Sequence, residues 1–552
     1  MDAHARQMFE AGNQAVAAGR HEEAAALFAA CLERAPAQPE ALLNRANALQ
    51  LSGRPKEAIE AYLACVRAAP RLGLAYCGMA EALRQLGLFE QAKAMALEGV
   101  AQLPENIDAL ICLGGKHFDL GEFSEAARVY GEALARSPLH AGVLNNLANA
   151  LHCLGEVGAA LVMHERCYRL EPGNATWRYN LSLTLLAAGD FRRGWAEHEW
   201  RGREPVAAEA GPAWRGEDLA GRRILLVAEQ GLGDTLQFVR YAPLVAARGA
   251  EVVLEVPPEL ARLVRGMDGV AEVVARGSAT PRADMHALLM SLPWLFGTTI
   301  ETIPATIPYL APPDALRADW AARVGDEAKL RVGLVWAGGS RPDDINCEVI
   351  DRRRSIGDPA LLARLAGIGG VRFYNLQKDR TGLPAALEAV DLMGEVTDFA
   401  DTAALVEQLD LVIAVDTSVA HLAGALGTPV WMLSRRDGCW RWMQDRADSP
   451  WYPGMRIYRQ TTQGDWAGVL DRVAADLRAF AAAHTPARKP APRRADPAAA
   501  GSAADAGPKT APALGRATIT GAGNAPILGA GNAPILGAGN APILGGPARV
   551  TA

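Results

Sequence analysis

Three short stretches of this chain carry residue types and spacings suited to phosphate and proton chemistry. Glu229-Gln230-Gly231-Leu232-Gly233-Asp234 is a glycine turn that follows an apolar run and puts a carboxylate at the opening of a helix. It lacks the GxGxxG spacing of a dinucleotide loop and no Walker lysine follows, so a tight strand-to-helix turn explains Gly231 and Gly233 as well as a nucleotide site does. Arg352-Arg353-Arg354 offers planar guanidinium forks that match phosphate oxygens, although three adjacent arginines also suit a solvated charged face. In Asp416-Thr417-Ser418-Val419-Ala420-His421, an apolar β-branched run ends in a polar turn, and small or apolar residues then recur at helical spacing to Gly427. A helix start beyond the carboxyl end of a strand presents unpaired N–H groups and a positive dipole end to an anion. Asp416 and Thr417 are equally suited to simple capping.

Positioning such groups takes elements, and the chain is long enough for about three domains. Half of its 552 residues are hydrophobic and 21% are charged, a globular balance. The net charge of −6 gives no general attraction to nucleic acid or to an anionic membrane. The opening Met1-Asp2-Ala3-His4-Ala5-Arg6 shows no secretory pattern and no apolar run is long enough to span a bilayer, so a cytoplasmic protein is expected. The eight cysteines form no CxxC pair. Cys31, Cys65 and Cys167 share one position of a repeat and read as packing residues.

The repeat is explicit. Pro36, Pro70, Pro104, Pro138 and Pro172 are 34 residues apart, as are Gly19, Gly53, Gly87, Gly121, Gly155 and Gly189, and Ala24, Ala58, Ala92, Ala126 and Ala160. Each unit reads as two helices, with Gly ending the first, Ala allowing close approach and Pro closing the second. The pattern, with Phe28, Tyr62 and Tyr130 at its aromatic position, resembles the tetratricopeptide repeat. Five units run to about Asn174, and a sixth departs from the pattern after Phe191, with Gly194 where Ala is expected. That resemblance implies a right-handed superhelix with a concave groove. Asn44, Asn146 and Asn180 at the sixth position and Asn13, Asn47 and Asn149 at the ninth would line it and bond an extended peptide, unless these amides merely satisfy helix surfaces.

Beyond Trp200 the period is lost. Apolar runs at 224–228, 251–256, 270–275, 287–290, 331–336, 371–376, 411–415 and 430–433 alternate with helical patterns, among them 385–390, which implies parallel sheets. The expected layout is a repeat array over 1–200, a connector over 201–222, one α/β lobe over 223–315, a second over 316–480 and a disordered Ala/Pro/Gly-rich tail over 481–552. The tail holds Gly-Ala-Gly-Asn-Ala-Pro-Ile-Leu three times and cannot build a core.

Two successive Rossmann-like lobes fit the glycosyltransferase B (GT-B) architecture. The motifs at 229–234, Trp336-Ala337-Gly338, Asp351-Arg352-Arg353-Arg354-Ser355 and 416–421 stand in the order of the heptosyltransferase-like family, glycosyltransferase family 9, which the chain resembles over 222–477. Trp440-Arg441-Trp442 and Asp448-Ser449-Pro450-Trp451-Tyr452 resemble a tail typical of relatives that carry tetratricopeptide repeats. The resemblance implies an acceptor-side first lobe and a donor-side second lobe binding a nucleotide sugar. In it Asp234 matches a general base, although a carboxylate at a helix start is also simply favoured by the dipole. Arg352, Arg353 and Arg354 would meet the donor phosphates, and Asp416, Thr417, Ser418 and His421 match the donor motif, with Ser418 where heptosyltransferases usually have glycine. Gln377 and Lys378 stand where the nucleoside is usually met, or in an exposed loop. Trp336, Trp440 and Trp442 suit stacking on sugar or base, or a core.

Asp343-Asp344 is a weak candidate for a DxD motif, and GT-B enzymes generally work without a metal, so neither metal nor cofactor is expected. The function implied is sugar transfer from a nucleotide donor to a protein in the repeat groove, such as a flagellin or another surface protein before export. An inactive scaffold and a transferase acting on lipopolysaccharide or another glycan are the alternatives.

Overall fold

The computed structural model describes residues 1–325, 328–339, 344–378 and 380–483. By internal contacts they form two compact units, one of residues 1–180 with 344–350 and the other of 181–339 with the described residues from 351 onward. The expected tail, with its three octads, lies outside the described residues except for 481–483, which end the helix Trp466–Ala483.

In the first unit the 34-residue period becomes a superhelical stack of helix pairs. First helices such as Pro39–Leu51, Ile107–Asp119 and Ala141–Cys153 are each followed by a second, here Pro55–Ala68, Phe123–Arg136 and Val157–Leu170. The glycines that end the first helices have φ between +72° and +85°, a left-handed conformation that a side chain resists. At Gly53 the ending is closed by Gly53 N–H to Gln50 O at 3.1 Å and Arg54 N–H to Leu49 O at 3.0 Å, so the freed carbonyls are satisfied. Ala24, Ala58, Ala92, Ala126 and Ala160 are all fully buried where the paired helices touch. Cys31, Cys65 and Cys167 are buried and unbridged, as packing residues should be.

The aromatic position of the fifth unit holds His164, with no solvent exposure and, among the described residues, no hydrogen-bond partner on either ring nitrogen. Burial, helped by His152 nearby, pulls its pKa down to about 3. The unfolded chain therefore takes up a proton near the ordinary histidine value while the folded chain refuses it. Stability is then full above about pH 6.5 and falls by up to about 1.4 kcal/mol per pH unit as pH drops toward 3. Thermal melts at pH 7.5 and pH 5 should show this loss, and His164→Phe should reduce it.

The second unit contains two parallel sheets. The first has the order β3-β2-β1-β4, with β1 Arg223–Val227, β2 Glu251–Val256, β3 Val270–Ala275 and β4 Met285–Leu288. The second has the order β10-β9-β8-β5-β6-β7, with β5 Leu330–Val335, β6 Val371–Asn375, β7 Val390–Asp391, β8 Leu411–Val415, β9 Val430–Ser434 and β10 Met455–Arg459. The central strands β8 and β9 are buried along their whole length, which is why they read as continuous apolar runs.

Two local expectations change. The helix expected over 385–390 is a short 3₁₀ turn, Ala385–Leu387, leading into β7 at the sheet edge, and β10 had no counterpart in the sequence reading. Both are edge strands whose polar residues break the apolar signal.

The helix Phe191–His198 follows the array's sequence pattern only briefly because it is built into the second unit. Trp195 packs edge-on against Phe238, Trp440 and Trp451, with centroids 6.0, 5.3 and 6.4 Å away. Gly194 replaces the usual Ala because a Cβ there would lie 2.8 Å from the Leu186 side chain. The stretch expected as a connector also packs down: Trp214 is 3% exposed, and its N–H donates to His286 O at 2.7 Å at the edge of β4.

Candidate functional site

The sequence motifs of the second unit meet where two helices begin side by side, each just past the carboxyl end of a central strand. Beyond β1 the chain turns through Gln230, whose φ of +57° is rare for a residue with a side chain, and Gly231 caps the helix Leu232–Phe238. Asp234, in the first turn, reaches back so that its Oδ2 accepts from Gly231 N–H at 2.9 Å. Its Oδ1 accepts from the Arg441 guanidinium. Thus both oxygens of this carboxylate are engaged.

Beyond β8 the helix Ser418–Leu426 begins. Thr417 is its N-cap residue in extended conformation, but its side chain makes no capping bond and its hydroxyl instead donates to Val415 O at 3.2 Å. The capping role open to Thr417 is therefore not taken, and the first turn's N–H groups are left without a side-chain cap.

Gly233 explains how the two helix starts come together. A Cβ at Gly233 would lie 3.0 Å from His421 Cδ2 and 3.6 Å from Ser418 Cα, so the glycine permits this close approach. His421 is 5% exposed, its Nδ1 is 2.9 Å from the Tyr452 hydroxyl, and its ring lies 5.3 Å from that of Trp442. Burial pulls its pKa down to about 4, with Asp416 opposing and Arg441 adding to the effect. At neutral pH the imidazole is uncharged and suited to hydrogen bonding more than to ion pairing.

Behind it, Arg240 is 3% exposed and donates to the carbonyls of Gln237, Pro304 and Trp451 and to the Tyr309 hydroxyl. Its guanidinium also lies 4.8 Å from the Tyr452 ring centre. Arg262 spans the two sheets' layers as well, donating to Asp398 at 2.7 Å and to Asp401 at 2.5 Å.

The arginine run ends the helix Ile345–Arg354, where cations suit the helix dipole. Arg352 is exposed. Arg353 pairs with buried Asp437 at 2.9 Å. Burial alone would raise the Asp437 carboxyl, but Arg435 and Arg353 outweigh it and hold it below the ordinary value. Arg354 bonds Asp351 at 2.5 Å and the carbonyl of Asp416 at 3.2 Å, and it lies so close to Gly338 that a Cβ there would be 2.6 Å from its Nε. Arg354 therefore braces the turn that leads into the Ser418–Leu426 helix.

Gln377 is buried, its Oε1 accepting from Trp336 N–H at 3.1 Å and Ala337 N–H at 2.9 Å, while Lys378 is exposed beside it. Trp336, Trp440 and Trp442 are at most 5% exposed. Asp343 lies outside the described residues, and Asp344 caps the Ile345–Arg354 helix by accepting from Asn346 and Cys347 N–H at 3.0 and 3.1 Å. Among the described residues no three His, Cys, Asp or Glu side chains are grouped to hold a metal.

The sequence reading did not place Arg441, Tyr452, Gln237 or Arg240 in the site. Arg441 and Asp234 are 207 positions apart, and the one hint was the Trp440-Arg441-Trp442 motif itself.

Within the first unit the asparagines largely satisfy one another. Asn44 donates to Asn13 at 3.0 Å, Asn47 accepts from the Tyr62 hydroxyl at 2.6 Å, and Asn180 donates to Asn145 at 2.8 Å. Asn145 in turn donates to Asn146 at 3.4 Å. Asn149 is 1% exposed and its amide has no hydrogen-bond partner among the described residues.

The family models fall on both parts of the chain. Tetratricopeptide repeat matches residues 9–72 and 116–163, and glycosyltransferase family 9 (heptosyltransferase) matches residues 376–433. The chain is a tetratricopeptide-repeat array fused to a heptosyltransferase-like region. The heptosyltransferase match takes in Gln377, Lys378 and the 416–421 segment, and stops short of Asp234, the arginine run and Arg441.

The chain is 31% identical to Protein FlbA of Caulobacter vibrioides over 348 residues, covering 56% of this chain and 56% of that protein. It thus spans little more than half the length of this curated relative. Similar solved structures include a thermophilic tetratricopeptide-repeat protein of Thermus thermophilus, with 24% identity over 33% of this chain and 99% of that one, at a TM-score of 0.30. The Cut9–Hcn1 hetero-tetramer of the APC/C shares 20% identity over 36% of this chain and 39% of that one, at a TM-score of 0.33. No helix among the described residues is long and apolar enough to cross a membrane.

Proposed function

We propose that this glycosyltransferase-like protein is a metal-independent GT-B enzyme that moves a sugar from a nucleotide-sugar donor to a protein acceptor selected by the repeats, in the cytoplasm. The observation that carries the reading is the meeting of Asp234, Arg441 and His421 at two adjacent helix starts. One start supplies a carboxylate, and the other supplies N–H groups without a side-chain cap beside a neutral imidazole.

In this reading the donor's phosphates lie against the first turn of Ser418–Leu426, near Thr417 and Ser418. The acceptor hydroxyl oxygen attacks the anomeric carbon and its proton passes to Asp234. The bond from that carbon to the phosphate oxygen breaks, and the leaving nucleotide keeps the electron pair. N–H groups and cations set in advance take up the charge that develops. Arg353 and Arg354 act by bracing the site through Asp437 and the Asp416 carbonyl.

The inactive-scaffold reading draws on one observation of its own: each oxygen of the Asp234 carboxylate already accepts a hydrogen bond from the protein. A hydrolysis screen across nucleotide sugars with wild type and His421→Ala separates the two. The enzyme reading expects one donor to be hydrolysed by wild type and at least about tenfold more slowly by the variant. Failure of every nucleotide sugar to bind or hydrolyse would make the chain a scaffold. For the acceptor, Asn44→Ala with Asn47→Ala should lower transfer to protein and leave donor hydrolysis intact.

A further inference from the structure

Arg441 contributes more than a strut between the layers. Its guanidinium lies 4.4 Å from the Trp440 ring centre, and Arg441 as a whole is 8% exposed. Its Nε donates to Gln237 Oε1 at 2.5 Å, a second nitrogen to Cys439 Sγ at 3.2 Å, and a third to Asp234. An arginine has five N–H donors, so two remain. Among the described residues, the carboxylate it bonds is the proposed base.

The neighbours of this pair are the residues of the proposed phosphate site. Gly233, next to Asp234, lies against Ser418 and His421, and the ring of Trp442, next to Arg441, lies 5.3 Å from that of His421. A phosphate held at the start of Ser418–Leu426 would therefore lie beside an arginine committed to a single carboxylate. It would carry at least as much charge as that carboxylate and offer more acceptor oxygens to the guanidinium.

We propose that Arg441 is an exchangeable clamp, which holds Asp234 until the donor binds and then transfers to the donor's phosphate, so freeing Asp234 Oδ1 for the acceptor hydroxyl. This rests on the transferase reading above. It orders the reaction: an acceptor arriving first meets a carboxylate held by the Arg441 cation, and the donor makes the base available. It also accounts for a catalytic carboxylate whose two oxygens each accept a hydrogen bond from the protein.

The test is a double-mutant cycle on the full chain, with inorganic pyrophosphate as the probe and calorimetry as the readout. Asp234→Asn removes the competing charge and should tighten pyrophosphate binding by about tenfold, whereas Arg441→Gln should weaken it by about tenfold. In the Arg441→Gln background the Asp234→Asn gain should vanish. A gain of equal size with and without Arg441 would show plain charge repulsion and overturn the clamp, leaving the phosphate site standing. Should Arg441→Gln melt early, Arg441→Lys keeps the charge without the fork, and the Asp234→Asn gain measured on it should shrink; an undiminished gain would again overturn the clamp. No binding of pyrophosphate to any form would overturn the clamp and the transferase reading together.

Discussion

Asp234→Ala is expected to cut sugar transfer by about 10²–10⁴-fold without raising the donor KM. The base is lost, while the phosphate contacts lie on the other helix and on Arg441, which the substitution releases. The two roles therefore separate in kinetics: kcat falls, and donor affinity holds or improves. Loss of the bond to Gly231 N–H frays the start of Leu232–Phe238 as well, so a thermal melt should accompany the assay. Transfer at the wild-type rate in Asp234→Ala would remove the carboxylate from the chemistry and leave it as a helix-start contact.

The second large effect is on stability. Arg201→Ala is expected to destabilise the second unit by about 3–5 kcal/mol. Arg201 is 4% exposed and bonds Glu229 through two nitrogens, at 2.5 and 3.0 Å, Glu199 at 2.8 Å and Ser291 at 2.8 Å. Burial alone would raise the Glu199 carboxyl, but Arg201 and Arg203 hold it below the ordinary value. Without Arg201, Glu229 loses this cation and Glu199 is left with Arg203 and the Ser291 hydroxyl. Glu229 immediately precedes the Gln230–Gly231 turn, so the damage should reach the site as well as the fold. Urea unfolding measures it, and a loss below about 1 kcal/mol would mean that water replaces the arginine at little cost.

The sequence made some of this legible and hid the rest for physical reasons. The repeats were visible because each helix pair covers its neighbour with the same residues at the same step, as Ala24 to Ala160 show. The central strands were visible because burial on both faces leaves no room for polar residues, as in Leu411–Val415. Short edge strands such as Val390–Asp391 carry no such constraint and escaped notice.

Within the candidate site, local signals found the two helix starts and missed the partners across them. Arg441 and Tyr452 meet Asp234 and His421 only through the fold. The glycine turn had two readings, and the packing adds a reason that neither contained: Gly233 is small because His421 lies against it. The arginine run was expected on phosphates, yet Arg353 and Arg354 already have protein partners, a difference visible only once Asp437 and Asp351 are in place.

The most direct test of the central claim is a structure of the full chain with a hydrolysis-resistant nucleotide sugar bound. The account predicts the phosphates at the first turn of Ser418–Leu426, beside His421, with Arg441 on a phosphate oxygen and Asp234 Oδ1 released. A nucleotide bound away from this helix start, with the Asp234–Arg441 pair unchanged, would contradict it.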